Sequence, residues 1–344
     1  MATIRDVARL ANVSVSTVSL AFSQPHRVSE STRLRVQEAV ERLEYRPNGT
    51  ARDLRVRKTN TIGVLLHNLS GPFYSELIRG VEEVADRLGL TTIAAGCSGY
   101  EGQGSVRLLH EARVDGAIVL DPSIKSGDLL RYAQESLPIV VLDRPLSRDF
   151  QSDYISAVAA DHELGGFLAG NHLLDQGFRR FAVIAGPVES EDSRLRHLGF
   201  FRALRAADID TVTIPVIHSD FTELGGMRAM GTLLEQGWTL DAVFVANDEM
   251  AIGALQVLEE HHVMVPHDIA VMGFDDIRLA RYVTPSLSTI HQPMYELGQA
   301  AMKKLEGALN GTSTGGLEIL PVTLVPRSST LALLASEEDR AHGS

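Results

Sequence analysis

The sequence has one cysteine, few aromatic residues and no long hydrophobic run. The single cysteine, Cys97, excludes an intramolecular disulfide framework and fits a reducing cytosol. No apolar stretch approaches the ~20 residues needed to cross a bilayer, which excludes a transmembrane helix. The chain starts with a polar helical pattern, so no signal peptide is expected. We therefore expect a cytoplasmic protein without a membrane partner.

Length and composition indicate a soluble globular protein with more than one domain. The chain has 344 residues, of which 44% are hydrophobic, 22% charged and 6% aromatic. This length exceeds that of one ordinary hydrophobic core, so two or three domains are expected.

The net charge of −12 is divided unevenly along the chain. Up to Asn60 there are eleven Lys and Arg against six Asp and Glu, whereas the remainder has 21 against 38. A basic head on an acidic body is the asymmetry expected when only the head contacts phosphates. The charge distribution thus favours nucleic acid as a partner of the N-terminal segment.

The first fourteen residues predict a capped helix followed by a tight turn. Thr3 is placed to cap a helix over 3–11, and Asp6 three residues later completes a capping box. Its apolar positions recur at helical spacing: Ile4, Val7, Ala8 and Ala11. Asn12 tolerates a tight turn, and Ser14 is placed to cap the next helix.

A second helix over 15–22 completes a helix-turn-helix pattern. Val18 and Ala21 are expected to be buried. The outer face then carries Val15, Ser16, Thr17 and Leu20. Such a face is shaped to enter a DNA major groove. The alternative is a small helical hairpin that only packs.

A third helix and an arginine-rich segment follow. Ser29 caps a helix expected over 30–45, and its buried side is expected to comprise Leu34, Val36, Ala39, Val40 and Leu43. Pro47 ends that helix, and Asn48 is placed to cap a short helix over 49–56. So short a helix needs DNA or a partner chain to form. The alternative is a solvated linker.

From Thr61 onward, strand-like apolar runs alternate with helical patterns. Helices are expected at 73–88, 163–176, 196–207 and 249–261. This alternation predicts parallel sheets covered by helices on both faces. The number of strands favours two similar lobes, and ligands in such folds bind outside the carboxyl ends of the strands.

Several motifs together resemble the lac/gal-repressor (LacI/GalR) family of bacterial transcription regulators. They include T-I-R-D-V-A at the N-terminus, R-V-S-E and Y-R-P-N around the third helix, V-L-D-R-P, R-H-L-G-F, A-N-D-E-M-A-I-G and G-F-D-D. The resemblance implies a small all-α helix-turn-helix headpiece followed by an α/β core of two Rossmann-like lobes, similar to periplasmic binding proteins. We expect a headpiece at 1–46, a hinge at 47–60, a core at 61–330 and a tail at 331–344. Lobe 1 is expected at about 61–160 and 291–320, and lobe 2 at about 161–290 and 321–330.

The resemblance also implies a homodimer that binds a near-palindromic operator in double-stranded DNA. The residues that it assigns to DNA contact are Thr3, Val15, Ser16, Thr17, Ser19 and Leu20 in the headpiece and Asn48, Ala51, Arg52, Leu54 and Arg55 in the hinge. Leu54 would enter the central minor groove, where prying open a base step is offset by contacts that the kink permits. Val15 and Leu20 can contact thymine methyl groups but cannot make the bidentate contact of Arg with guanine.

A small-molecule effector is expected in the cleft between the lobes. The residues that the resemblance assigns to it are Phe73, Tyr74, Asp161, Arg196, Phe221, Asn247 and Asp275. This combination suits a sugar, because carboxylates and amides accept hydroxyl hydrogen bonds and an aromatic face stacks on C–H surface. His162 stands where the family commonly has Asn. Asp248 is expected to cap the helix that begins at Glu249.

The sequence therefore predicts a regulator, most simply a repressor, whose operator affinity is set by an effector. No catalytic residue, metal or cofactor is expected, because G-x-S-x-G, Walker and zinc-ligand patterns are missing. Alternatives are a cytosolic sugar-binding protein, an α/β enzyme, a purine- or nucleoside-responsive corepressor-type regulator and an activator. The tail lacks a leucine heptad, which favours a dimer over a tail-joined tetramer.

Overall fold

The computed structural model describes residues 2–45, 58–67, 69–96, 103–111, 113–121, 123–144, 154–312 and 315–331. The chain divides into two compact units, Met1–Thr59 and Asn60–Ser344. The expected hinge contacts (Asn48, Ala51, Arg52, Leu54 and Arg55), Cys97 and tail residues 332–344 lie outside the described residues.

The described residues of the first unit form three α-helices, α1 (Ile4–Leu10), α2 (Val15–Ser23) and α3 (Glu30–Arg42), with a 3₁₀ turn at Pro25–Arg27. The predicted caps are present. Thr3 and Asp6 form the capping box of α1, and the Ser14 side chain accepts the Thr17 N–H at the start of α2. The helices bury a small apolar core of Val7, Ala8, Ala11, Val18, Val36 and Ala39.

The prediction for the third helix is wrong in two respects. The helix ends at Arg42 rather than at position 45, and Leu34 is 56% exposed instead of buried. Val36 and Ala39 are buried, and Val40 and Leu43 pack against them, which sets the direction of the buried stripe. Leu34 precedes Val36 by two residues, about 200° around the helix, so it faces away from that stripe.

The second unit contains a six-stranded parallel sheet with the order β11-β5-β4-β3-β1-β2. Its strands are β1 (Thr61–Leu66), β2 (Thr91–Gly96), β3 (Gly116–Leu120), β4 (Ile139–Leu142), β5 (Ile155–Ala160) and β11 (Gly316–Leu320). The accompanying helices are α4 (Pro72–Arg87), α5 (Gln103–His110), α6 (Ser126–Gln134) and α11 (Met294–Leu309). We call these elements lobe 1.

A four-stranded parallel sheet with the order β7-β6-β8-β9 forms the centre of lobe 2. Its strands are β6 (Phe181–Ala185), β7 (Val216–His218), β8 (Ala242–Val245) and β9 (Ala270–Met272). The helices are α7 (His162–Asp175), α8 (Glu191–Ala206), α9 (Glu223–Glu235) and α10 (Asp248–Glu260). A short antiparallel pair, β10 (Thr289–His291) with β12 (Thr323–Val325), completes it.

The chain passes between the lobes three times, after β5, after β10 and after β11. Most strands of the two parallel sheets are buried on both faces, which explains their continuous apolar runs, although β2 at the edge of its sheet is largely exposed. The helix expected over 196–207 begins earlier, at Glu191, because Ser190 caps it through the Ser193 N–H. Among the described helices, none is long and apolar enough to span a membrane.

Candidate effector cleft and DNA-binding face

Arg196 is the centre of a buried polar cluster next to the passages between the lobes. It lies in the second turn of α8, is 3% exposed and stacks over the Phe274 ring at 3.9 Å. All three guanidinium nitrogens have protein partners. Nε donates to His162 Nδ1 (3.3 Å), Nη1 to the Ala246 carbonyl oxygen, and Nη2 to Gln292 Oε1 (3.0 Å).

Two carboxylates flank the same guanidinium group. Asp275 Oδ1 lies 3.3 Å from Nη1 of Arg196, and Asp192 Oδ2 lies 3.7 Å from Nη2. These two contacts are ion pairs, while three of the five N–H donors of Arg196 are hydrogen-bonded to protein atoms, one on each guanidinium nitrogen. The fork that the sequence assigned to the effector is therefore occupied by protein acceptors in this conformation.

His162 connects Arg196 to lobe 1. The imidazole is 1% exposed, and its Nε2 lies 2.9 Å from Asp143 Oδ1 at the end of β4. That contact is within ion-pair distance, but its angles fall outside hydrogen-bond geometry, so we treat it as electrostatic. The same Asp143 oxygen accepts the Ala160 N–H at 3.0 Å, just before the first passage to lobe 2.

Unpartnered buried atoms concentrate in this cluster. Within the described part of the chain, five buried side-chain atoms have no hydrogen-bond partner, and three belong to this cluster: His162 Nε2, Asp275 Oδ1 and Gln292 Nε2. A fourth, Asp121 Oδ2, follows β3, and the charge of Asp121 acts on Tyr74. Leaving a buried polar group unpaired costs about 1–3 kcal/mol, so such groups mark a place where a ligand has something to satisfy.

The two carboxyl groups beside Arg196 have pKa values displaced in opposite directions. Burial raises the pKa of Asp275 to about 7, against the opposing effect of Arg196 and with a further increase from Asp192. Burial also acts to raise the pKa of Asp192, but the Arg196 charge and hydrogen bonds from the Ser190 hydroxyl and the Ser193 N–H outweigh it, so the net pKa is lowered. Of these two carboxyl groups, Asp192 is thus ionised at neutral pH, while Asp275 exchanges its proton.

Aromatic side chains from both lobes border the cluster. Phe73 and Tyr74 begin α4 in an edge-to-face pair with centroids 5.3 Å apart, and Phe73 packs against the cores of both lobes. Burial, followed by the charges of Asp192, Asp275, Glu249 and Asp121, raises the pKa of Tyr74. Its phenol therefore remains a hydrogen-bond donor among acidic neighbours.

Phe221 and Asn247 form the lobe 2 side of this border. Phe221 has φ of +64°, and a Cβ placed on Gly186 would lie 2.2 Å from its ring, so the ring lies directly on that backbone. Asn247 Nδ2 donates to the Phe221 carbonyl oxygen at 3.0 Å, and its Oδ1 accepts the Met250 N–H. Asn247 therefore holds the Phe221 loop and caps α10 at once.

Two acidic residues have structural roles that differ from the roles expected from the sequence. Asp248 does not cap α10. It is fully buried and instead accepts from the Ile277 N–H and the Thr289 hydroxyl. Asp161, expected at the effector, is the N-cap of α7 and accepts the Leu164 N–H at 3.0 Å.

The predicted DNA-contact residues of the headpiece lie on and beside α2. Val15 and Ser16 are exposed, while Thr17, Ser19 and Leu20 are partly exposed. Thr17 also bonds the Ser14 hydroxyl at 2.8 Å. Thr3 is exposed and bonds Asp6 as the cap of α1.

Comparison with known proteins decides the family. Residues 3–48 match the lacI family of bacterial regulatory proteins, and residues 171–330 match the periplasmic binding protein-like domain. The ribose operon repressor of Escherichia coli (strain K12) is 40% identical over 311 residues, covering 89% of this chain and 92% of that protein. This chain belongs to the lacI family.

Further similar proteins align with most of the chain. The transcriptional repressor PurR of Pectobacterium carotovorum is 35% identical, covering 96% of this chain and 97% of that protein. A lac repressor dimer bound to operator and the anti-inducer ONPF superimposes with a TM-score of 0.81 at 31% identity, covering 96% and 99% of the two chains. A lacI-family regulator from Enterococcus faecium with bound ribose gives 0.71 at 31% identity, covering 79% and 99%.

Sequence reasoning within this lacI-family chain missed four cleft residues. Asp121, Asp143, Asp192 and Gln292 were not assigned to the effector. A usable signal existed for Asp121 and Asp143, because each is the first residue after a buried parallel strand, β3 and β4. Nothing in the local sequence distinguishes Asp192 or Gln292, which join the cluster only through contacts with Arg196.

Proposed function

We propose that this chain is a transcriptional repressor that binds a near-palindromic operator as a homodimer. Its operator affinity would be set by an uncharged polyhydroxy molecule, D-ribose in the first instance, bound between the lobes. The DNA contacts would come from Val15, Ser16 and Leu20, with Leu54 of the hinge at the centre of the operator. The names of the relatives support the repressor role, and the cleft supports the class of effector.

The observation that carries the effector class is the excess of carboxylate acceptors in the cleft. Each guanidinium nitrogen of Arg196 already donates one hydrogen bond to a protein acceptor, whereas Asp275 Oδ1 and Asp121 Oδ2 accept none. Glu249 adds a third carboxylate, whose pKa burial and then Glu223 raise. Sugar hydroxyls donate to such acceptors, whereas a phosphorylated sugar would place its charge beside carboxylates.

The aromatic border fits the same ligand class. Phe73, Tyr74 and Phe221 are partly exposed aromatic side chains, and such ring surface suits the C–H face of a sugar ring. Asn247 and Asp161 would act by holding the loop and helix that carry these groups.

A purine effector is the second candidate, because one relative is the repressor PurR and because ring stacking on Phe221 or Phe73 also suits a planar base. Gln292 Nε2, which is unpartnered, would then donate to a ring nitrogen or carbonyl.

Fluorescence anisotropy on DNA duplexes that tile the upstream region of the gene tests this function. We expect salt-sensitive binding to one near-palindrome, because phosphate contacts release counterions. Binding would shift with D-ribose and not with ribose 5-phosphate; hypoxanthine and guanine test the purine alternative. Binding to no duplex, with or without these compounds, would remove the repressor function. Mass analysis of the bound compound after prolonged incubation would reveal turnover if the core were an enzyme.

A further inference from the structure

A chain of polar contacts crosses from lobe 1 to lobe 2 through residues at the passages between them. Asp143 follows β4 in lobe 1, and His162 is the second residue after β5. Arg196 lies in lobe 2, and Gln292 follows β10 directly before the second passage. The contacts run Asp143–His162–Arg196–Gln292, with the 2.9, 3.3 and 3.0 Å separations described above.

The direction of donation fixes the state of His162. An Arg side chain has donors only, so His162 Nδ1 must carry a lone pair to accept from Arg196 Nε. The ring is then neutral with its proton on Nε2, the atom that faces Asp143 Oδ1. A protonated ring would turn an N–H toward Arg196 and replace attraction by repulsion.

This arrangement makes His162 sensitive to the angle between the lobes. His162 and Arg196 are fixed together because α7 packs closely on α8. A Cβ on Gly166 would lie 1.9 Å from the Arg196 carbonyl oxygen. Asp143, in contrast, is anchored to lobe 1 through the Ala160 N–H. A rotation of one lobe against the other therefore changes the His162–Asp143 contact more than the His162–Arg196 contact.

We propose that His162 is a positioning residue that couples the effector contact at Arg196 and Asp275 to lobe 1 through Asp143. The proposal rests on the proposed function, since it assigns the coupling step of that same cleft. His162 Nδ1 then orients Arg196 for effector binding, and His162 Nε2 transmits the change in the angle between the lobes to Asp143. The two nitrogens can be tested separately because they have different partners.

Two substitutions divide these roles. His162→Asn keeps an acceptor near the Nδ1 position but cannot reach Asp143, while His162→Gln places its amide near Nε2 and removes the acceptor for Arg196 Nε. His172→Asn is the matched control. His172 lies on the same helix and is 7% exposed. Its Nε2 lies 2.7 Å from Thr330 Oγ1, and it is not part of the contacts around Arg196.

The measurements are D-ribose affinity by calorimetry and operator affinity by anisotropy with and without saturating D-ribose. Effector coupling in regulators of this kind is about 5–150-fold. We expect His162→Asn to retain ribose affinity within about threefold while the coupling factor falls at least fivefold. His162→Gln should lose ribose affinity by tenfold or more. His172→Asn should keep the wild-type coupling factor. Wild-type coupling in His162→Asn would overturn the proposal, as would an equal loss of coupling in His162→Asn and in the control His172→Asn.

Two further readouts do not depend on the operator. Nitrogen-15 NMR of histidine-labelled protein should give His162 a pyridine-type Nδ1 and a pyrrole-type Nε2, and the reverse tautomer would contradict the proposed contacts. Hydrogen exchange of the segment 155–165, which contains the Ala160 N–H, should change on D-ribose addition in the wild type but not in His162→Asn. If ribose binds and this exchange changes without any operator binding, the repressor function fails while the coupling role stands.

Discussion

At the residue scale, Asp275 is a buried carboxyl group that lowers stability in its ionised form and that we expect a ligand to pair with. Its carboxyl group is 5% exposed and beside Arg196, yet burial outweighs that cation and raises its pKa to about 7. The ionised form is therefore less favourable in the folded protein than in water. A buried acceptor without a hydrogen-bond partner is tolerated because a ligand would satisfy it.

Replacing Asp275 with Asn should make stability less dependent on pH. The pKa of Asp275 is 3.8 in the unfolded chain and about 7 in the folded protein, so between these pH values the folded protein binds the extra proton. The free energy of unfolding therefore falls as pH rises through this window. We expect the melting temperature of Asp275→Asn to exceed that of the wild type by more at pH 8 than at pH 5, because the wild type loses stability across this window and the Asn variant does not. Thermal melts of both proteins at both pH values measure this. If Asp275→Asn melted at a lower temperature than the wild type at pH 8, the raised pKa of Asp275 would be contradicted.

At the scale of elements, close helix pairing holds the site. The backbones of α7 and α8 approach at Gly166 and Gly199, where a Cβ would lie 1.9 Å from the carbonyl oxygens of Arg196 and Glu163. His162 begins α7 and Arg196 lies on α8, so this packing sets the distance between two members of the polar chain.

Gly166→Ala should therefore damage both packing and effector binding. The added methyl group meets backbone, which cannot rotate away, so we expect a loss of about 1–3 kcal/mol of stability and a weaker effector affinity. Gly231→Ala in α9 is the control, because a Cβ there has no atom within 4 Å, and it should gain about 0.5–1 kcal/mol of helix propensity. Chemical denaturation and calorimetry of both variants give the comparison. Equal stability of the two variants would mean that the helices separate freely.

At the scale of the whole molecule, charge and architecture divide at the same place. The first unit ends at Thr59, and the excess of basic residues also ends near that position. Each unit has its own apolar core, Val7, Val18 and Val36 being buried in the first. The headpiece is thus equipped for phosphates, while the acidic core carries the cleft.

Deleting residues 1–58 should separate the two activities. The truncated chain should lose operator binding and its salt dependence completely, while its D-ribose affinity stays within about twofold of wild type, since its core and cleft contacts are unchanged. Anisotropy and calorimetry on the same preparation measure both. Retained DNA binding would place the DNA site in the core and contradict the headpiece assignment.

Short-range patterns in the sequence were sufficient for much of the fold. Caps such as Thr3 with Asp6 and Ser14 with Thr17 span three residues, and apolar runs locate the strands, so local sequence determines both. The motif order also indicated the family.

Tertiary structure alone decided which face of α3 is buried, and therefore that Leu34 is exposed. It also decided that Asn247 rather than Asp248 caps α10. It also decided that the Arg196 fork is filled, because its partners His162, Ala246 and Gln292 are 34, 50 and 96 residues away along the chain. Contacts between such distant residues depend on how the helices and sheets pack, which local periodicity and motif spacing do not encode.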